Sequence, residues 1–498
     1  MKPTLTARDL VYRGAYRLGN KDGLGNTAGL TYAASRGTWF TVGVRQKQFA
    51  LLEFAMPDDA TCLPGPVEPS TPLAGAPAAA LVKRWGTFLA DTIDATQNDV
   101  FNIAWDEDSD CLFVSYGDTY GDPLTNDCLV AIDLEQNPPR VLGPWRFGDL
   151  GSEYSQRWGY SQCVRAPRSL ERFGIHYLAS GKDNNTFQAG SWGPGLLGVD
   201  PIDPYTTPPH DVLEARQLMF WPSKKVPVTL DTGKVKTGYL TSDMLREHPH
   251  WIIAGNSGYT LGGAPEWKDV PYGIAALEAA GWSNGDDAGY FVAVDEPTRQ
   301  GVLFFGNVTF GAEWYGTPIE FADEHTPDAS SPTTWRSWSG IDHPKTDRYL
   351  RSPIFGPDAD NPKAYVFARQ GGGKGNRNEL KVHGVWVYAF CDLQLAALGA
   401  YEPREGLTSM NVDYTAFHVL ASPLALPHVR PITPDLQYES RVNASPTTEV
   451  AYIPRVTGAH YRPSEDGRCG RIYVRMSSVL GVETDAVNVW DVQPPDMK

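Results

Sequence analysis

The sequence predicts an all-β fold: a single closed β-propeller spanning residues 1–498, with seven blades and with six or eight as the alternatives. Three observations predict it. One hairpin phrase recurs from end to end, the composition suits short strands, and strand-like segments stand near both termini.

The phrase is a strand of small and aromatic residues, a polar turn, and a second strand rich in aromatics and valine. It first reads Gly29-Leu30-Thr31-Tyr32, then Ser35-Arg36-Gly37, then Trp39-Phe40-Thr41-Val42-Gly43. It returns as Asn102-Ile103-Ala104-Trp105, a turn over 106–110, and Cys111-Leu112-Phe113-Val114. A third copy runs Tyr290-Phe291-Val292-Ala293-Val294, a turn over 295–300, and Val302-Leu303-Phe304-Phe305-Gly306. The last is Thr457-Gly458-Ala459-His460-Tyr461, a turn over 464–467, and Arg471-Ile472-Tyr473-Val474. A hairpin repeated along a whole chain marks radial β architecture.

Further anchors fill the gaps: 160–164 before 174–181, then 250–255, then 364–368 followed by 384–390. Seven anchors place one per ~70 residues, against the ~40–50 of compact propeller repeats. The excess falls in long loops at about 57–77, 199–228, 312–348 and 402–455.

Trp 15, Tyr 23 and Phe 19 favour strands, while Gly 49 and Pro 40 punctuate the chain too often for long helices. Short helices over 242–247 and 272–280 read as loop decorations. Leu10-Val11-Tyr12-Arg13-Gly14-Ala15-Tyr16-Arg17-Leu18 alternates like a strand, as does Ala486-Val487-Asn488-Val489-Trp490-Asp491-Val492. Free blade edges are aggregation hazards, so these two are expected to share a blade and close the ring. The competing arrangement is a pair of β-sandwiches, but no Pro/Ser linker divides the chain.

The net charge of −16 repels phosphate backbones, which argues against nucleic acid or an anionic membrane as the main partner. No run approaches the ~18 apolar residues of a membrane span. The first ten residues lack an apolar core, so no signal peptide is expected, and the chain reads as made in the cytoplasm and kept there or packed into a particle. Cys62, Cys111, Cys128, Cys163, Cys391 and Cys469 lack CxxC spacing and read as reduced, buried small hydrophobes. Cys111 with Cys128 is the disulfide that a hairpin would allow. No metal site is expected, since no His/Cys cluster has ligand spacing.

The segment 10–18, the Gly-Leu-Thr-Tyr hairpin, Trp386-Val387-Tyr388 and the closing Gly458-Ala459-His460-Tyr461 with Ile472-Tyr473-Val474 and Val487-Asn488-Val489-Trp490 resemble a group of uncharacterised β-propeller proteins of bacterial and bacteriophage genomes. The likeness covers most of the chain. It implies the propeller fold and brings no catalytic signature with it.

Candidate chemistry is sparse. The run Gln370-Gly371-Gly372-Gly373-Lys374-Gly375-Asn376-Arg377 lacks the spacing of a P-loop and reads as a loop between strands. His248, His250 and Tyr259 could form the His/Tyr pair of a polysaccharide lyase, in which a base removes the proton α to a uronate carboxyl. His176 and His460 occupy strand-like positions and read as packed. Acidic clusters at 106–110, 286–287 and 358–360 sit in turns and loops. No cofactor is expected, and a structural calcium at one such loop is the single exception they leave open; none has EF-hand spacing. The sialidase Ser-x-Asp-x-Gly-x-x-Trp box and the GxSxG elbow are both missing.

Aromatic clusters outside strand patterns are the remaining hint: Trp192; Trp314 and Tyr315; Trp335, Arg336 and Trp338. Trp and Tyr beside Arg suit sugar stacking or a protein interface. The expected function is therefore a non-enzymatic interaction protein, a bacteriophage virion component in the tail, associated with fibres or on the capsid surface. It would bind other virion proteins or a cell-surface glycan. The alternative is a polysaccharide lyase or glycoside hydrolase acting on an acidic polysaccharide in the propeller cleft.

Overall fold

The computed structural model describes residues 2–6, 9–19, 24, 27–43, 49–58, 62, 76–94, 99–117, 127–148, 162–180, 195–220, 226–229, 235–238, 253–254, 287–315, 334–336, 342–344, 376–398, 410–411, 417–419, 455–464, 470–477 and 485–493. Five small, mainly antiparallel sheets form a five-bladed β-propeller.

The chain enters through β1 (Leu10–Leu18), which belongs to the last blade. The first blade then forms in order from β2 (Thr27–Ala33), β3 (Thr38–Gly43), β4 (Ala50–Ala55) and β5 (Ala80–Gly86). One helical turn, α1 (Leu89–Thr92), leads to the second blade: β6 (Asp99–Asp106), β7 (Cys111–Gly117), β8 (Leu129–Asp133) and β9 (Arg140–Phe147).

The third blade starts with β10 (Gln162–Arg165), α2 (Arg168–Glu171), β11 (Tyr177–Ser180) and β12 (Gly195–Val199). The chain then visits the second blade as β13 (Val212–Leu213), parallel to β9, before β14 (Ala215–Phe220) completes the third. A hairpin of β15 (Val226–Thr229) with β16 (Val235–Gly238) follows.

The fourth blade gathers β17 (Ile253–Ala254), β18 (Asp287–Asp295) and β19 (Gln300–Tyr315). A small pair, β20 (Thr334–Arg336) and β21 (Asp342–Pro344), precedes its third long strand, β22 (Asn376–Tyr388). After α3 (Phe390–Ala397), β23 (Met410–Asn411) adds in parallel to β14, and β24 (Phe417–Val419) ends the fourth blade. The fifth blade is β25 (Arg455–Arg462), β26 (Arg471–Ser477) and β27 (Asp485–Val492), with β1 paired antiparallel to β27. The terminal strands thus close the ring as expected, with Leu10 opposite Val492 and Leu18 opposite Asp485.

The blade number differs from the seven expected. The four copies of the phrase, together with β10 and β11, are the inner hairpins of five blades. The anchor at 250–255 supplies β17, which pairs with β19; that at 384–390 covers the end of β22, third in the same blade, and the start of α3, while that at 364–368 lies outside the described residues. Small and aromatic residues mark any strand buried on both faces, so they do not single out the innermost one. The loop expected at 199–228 contains β13 and β14, and that at 312–348 contains β20 and β21. The loop at 402–455 likewise carries β23 and β24. The short helices expected at 242–247 and 272–280 lie outside the described residues.

Packing of the inner strands closes the circle: β2 lies against β25 and β6, β10 between β6 and β18, and β18 against β25. Each apolar interface is a distinct core. Tyr16, Trp39 and Tyr473 fill the one between the fifth and first blades, and Phe40, Ile103 and Trp105 the one between the first and second. Trp145, Cys163 and Tyr177 fill the next, and Tyr290, Phe305 and Trp490 join the fourth to the fifth.

A β-bulge recurs near the start of four inner strands, at Ala28/Thr31, Val100/Asn102, Asp287/Tyr290 and Val456/Gly458. Bulges sharpen the twist that a tight ring requires. Two glycines serve the same close approach. A Cβ on Gly29, whose φ is +76°, would lie 2.7 Å from the Ile103 nitrogen, and one on Gly458 would lie 2.8 Å from the Leu30 nitrogen.

Cys111, Cys128 and Cys163 are reduced thiols. Cys111 opposes Asp133 at one end of the β7–β8 ladder, whereas the Cys128 carbonyl accepts from Tyr116 at the other, so the hairpin does not bring the two together.

Candidate functional site: the axial cavity and the fourth-blade ribbon

In a propeller the inner strand of each blade turns a backbone edge toward the axis, and those groups need partners. Here polar side chains from adjacent blades supply several. The Trp105 N–H donates to Thr31 Oγ1 at 2.9 Å, and the Phe291 N–H donates to Gln162 Oε1 at 3.0 Å. Ser180 Oγ donates to the Gly289 carbonyl at 2.8 Å.

Between these edges lies a cavity of ≈ 130 Å³ to which all five inner strands contribute, through Thr31, Trp105, Gln162, Arg165, Phe291 and His460 among others. Trp105 stacks on Phe40 with ring centroids 5.7 Å apart, and its indole Nε1 has no hydrogen-bond partner among the described residues.

At one side of the cavity Arg165 is held by a carboxylate cluster. Its Nη2 lies 2.8 Å from Asp108 and 3.3 Å from Glu171, and its Nη1 donates to the Tyr177 hydroxyl at 3.2 Å. Tyr177 in turn donates to Asp106 Oδ2 at 2.9 Å. Burial, and then the Asp106 charge, push the Tyr177 phenol well above its ordinary range, so it remains a donor. Burial opposes the Arg165 charge, but the Tyr177 bond and Asp106 and Asp108 outweigh it and raise its pKa.

His460 is half-buried, and its ring meets Trp39 edge-on at 5.5 Å. Desolvation, reinforced by the Arg462 charge, pulls its pKa down to about 3. It is therefore a neutral imidazole. Its neighbour Tyr461 donates to the buried Glu296, which also accepts the Gly470 N–H at 2.9 Å.

Among the described residues no carboxylate lines the cavity, His460 is a weak base near neutral pH, and Arg165 and Tyr461 are engaged by acidic partners. Among the described residues no group of three His, Cys, Asp or Glu could hold a metal, and no helix is long and apolar enough to cross a membrane. The acidic turn at 106–110 is a hairpin turn in which Ser109 donates to Asp106 Oδ2 at 2.7 Å.

The second feature is a ribbon. Among the described residues β18 pairs with β19 as far as Asn307, but β19 and β22 stay paired to Tyr315 opposite Asn376. From Asn307 to Tyr315 this adds roughly 27 Å at about 3.4 Å per residue. Ile253 of β17 pairs near its far end, opposite Glu313. The sequence placed Trp314 and Tyr315 outside strand patterns; they are instead the last residues of β19, with Trp314 opposite Arg377. Trp335 and Arg336, also expected in a loop, lie in β20 opposite His343 and Asp342. Trp192, Trp338, His248, His250 and Tyr259 lie outside the described residues, as does 370–375 of the glycine-rich run.

Sequence reasoning missed the cavity residues Trp105, Gln162 and Arg165. Trp105 stood inside the hairpin phrase and read as packing, and Gln162 and Arg165 carry no local motif. His460, expected to be packed, does contact Trp39 but also lines the cavity. No protein-family model matches the chain, and no curated protein or solved structure does.

Proposed function

We propose that this chain is a non-enzymatic interaction protein, a bacteriophage virion component of the tail, fibre-associated or capsid-surface kind. It binds other virion proteins or a cell-surface glycan through its aromatic segments. The observation that carries this reading is the β19–β22 ribbon, which continues past the pairing of β18 and ends in Trp314 and Tyr315. Aromatic residues held on paired backbone lose little conformational freedom on binding, which makes them effective interface anchors.

Two further points support it. The axial cavity is smaller than the roughly 300–1,000 Å³ of typical ligand pockets and shows no acid–base pair among the described residues, so it suits cleavage of a polymer poorly. The net charge of −16 disfavours nucleic acid as the partner. Assignment to a virion rests on the resemblance of the strands at both ends of the chain to bacterial and phage propellers.

The test is mass spectrometry of purified particles from the source, paired with incubation of the chain with uronic-acid polymers. The chain is expected in the particles without release of unsaturated products. Its absence from particles together with such release would replace this reading with that of a polysaccharide lyase.

A further inference from the structure

We propose that one face of the β19–β22 ribbon binds an anionic cell-surface polysaccharide, a polymer whose carboxylates are widely spaced. This site rests on the reading of the chain as an interaction protein; of the partners that reading allows, it takes the glycan.

The first observation is the register. Residues directly opposite in an antiparallel pair share a face, and successive residues alternate between the two faces. One face begins with the pairs Leu303–Val387 and Phe305–Val385, of which Leu303, Phe305 and Val385 are buried in the core between the fourth and fifth blades. The same face continues as Asn307–His383 and Thr309–Lys381 and, past the bulge between Phe310 and Glu313, as Trp314–Arg377. The other face carries Val308–Val382 and Phe310–Leu380. The ribbon is therefore two-sided, with one apolar face and one that is polar, basic and aromatic. A strand pair enclosed on both sides would read apolar on both, because burying an unpaired charge is costly.

The second is charge. Over the whole chain acidic side chains outnumber basic ones by 59 to 43. This face reverses the balance: Arg377, Lys381 and His383 share it with Glu379, while Glu313 falls on the other face, opposite Asn378. Beyond about 10 Å, charges are largely screened at ordinary salt, so the local face and not the net charge decides what is attracted.

The third is spacing. At about 3.4 Å per residue, Arg377 and Lys381 stand roughly 14 Å apart along β22, and His383 extends the row to roughly 20 Å. Duplex nucleic acid carries one charge per roughly 1.7 Å, which would set several phosphates against Glu379. A polysaccharide with a carboxylate on every sugar, or on every second one, spreads its charge more sparsely. Arg pairs with carboxylates through a fork of donors, Trp offers a ring to the C–H face of a sugar, and Asn and Thr serve hydroxyls.

The experiment measures binding of the full chain to polygalacturonate, hyaluronate, neutral dextran and oligo-dT by biolayer interferometry at low and high salt. At least one of the two uronate polymers should be held, more weakly as salt rises, and dextran should not. Arg377→Gln combined with Lys381→Gln should weaken that binding about tenfold or more. Asn376→Gln combined with Asn378→Gln, a change confined to the opposite face, should leave it within about twofold. If the Arg377/Lys381 variant loses its thermal transition, Thr309→Glu sets a carboxylate on the same face and must weaken binding as well. The proposal is overturned if neither uronate polymer binds, if oligo-dT binds more tightly than both, or if the opposite-face variant loses as much as the Arg377/Lys381 variant. None of these results removes the chain from purified particles, so failure of this site and failure of the virion reading are told apart.

Discussion

Arg475 of β26 and Asp485 of β27 form an ion pair from which solvent is excluded, their side chains being 0% and 1% exposed. Arg475 also reaches into the first blade, where Nη1 donates to the Gly29 carbonyl at 3.1 Å and to Thr41 Oγ1 at 2.5 Å. One buried guanidinium thereby ties the closing blade to the first, beside the strand pairing of β1 with β27.

Removing one partner of such a pair leaves the other charge buried and unpaired, which costs about 3–5 kcal/mol. Arg475→Ala should therefore lower the urea midpoint sharply. Replacing both residues, as Arg475→Met with Asp485→Leu, should recover much of the loss. A single variant that unfolds within about 1 kcal/mol of wild type would show that the pair does not fasten the ring.

The inner-strand glycines make a second prediction. Gly29→Ala meets both a positive φ and the Ile103 nitrogen, while Gly458→Ala meets the Leu30 nitrogen. Each should destabilise by about 1–3 kcal/mol, Gly29→Ala the more. Gly37 has a positive φ and open space around it, so Gly37→Ala isolates the backbone contribution for comparison by thermal denaturation.

Acid stability follows from His460. Folded, its imidazole stays unprotonated down to about 3; unfolded, it takes up a proton below its ordinary 6.5. The unfolded chain thus binds more protons in that window, and the stability this residue contributes is present above about 6.5 and lost as pH falls toward 3. His460→Gln should flatten the stability profile between those values. An NMR titration in which His460 protonates near 6.5 in the folded chain would contradict this.

The thiols should be inert. Burial pushes Cys128 up to about 12 and raises Cys163 and Cys111 as well. Since the thiolate is the reactive form, alkylation at neutral pH should leave these three unmodified in the native chain and modify them in denaturant. Peptide mapping after iodoacetamide distinguishes the two outcomes.

The propeller was legible in the sequence because its inner hairpins are buried on both faces and so keep their small and aromatic residues, as in 29–32 and 458–461. Closure was legible for a related reason, since 10–18 and 486–492 alternate like partners. The blade number was not, because β22 ends in Gly384-Val385-Trp386-Val387-Tyr388, the residue types of an inner strand. β14 was hidden in a stretch rich in proline, and β13 is only two residues long. The cavity was beyond sequence reasoning altogether: Trp105, Gln162, Arg165 and His460 lie on three strands far apart in the chain and meet only when the ring closes.

The most direct test of the interaction role exploits the register of the ribbon. Asn307 and His383 face each other, so a two-residue Asn-Gly turn joining them removes 308–382 while leaving β18 paired with β19 up to Asn307. Full-length and shortened chains would be compared for retention on source phage particles and on immobilised host surface polysaccharide. The shortened chain is expected to keep the wild-type thermal midpoint within a few degrees and to lose retention on whichever surface holds the full chain. Equal retention of the two chains would contradict the account.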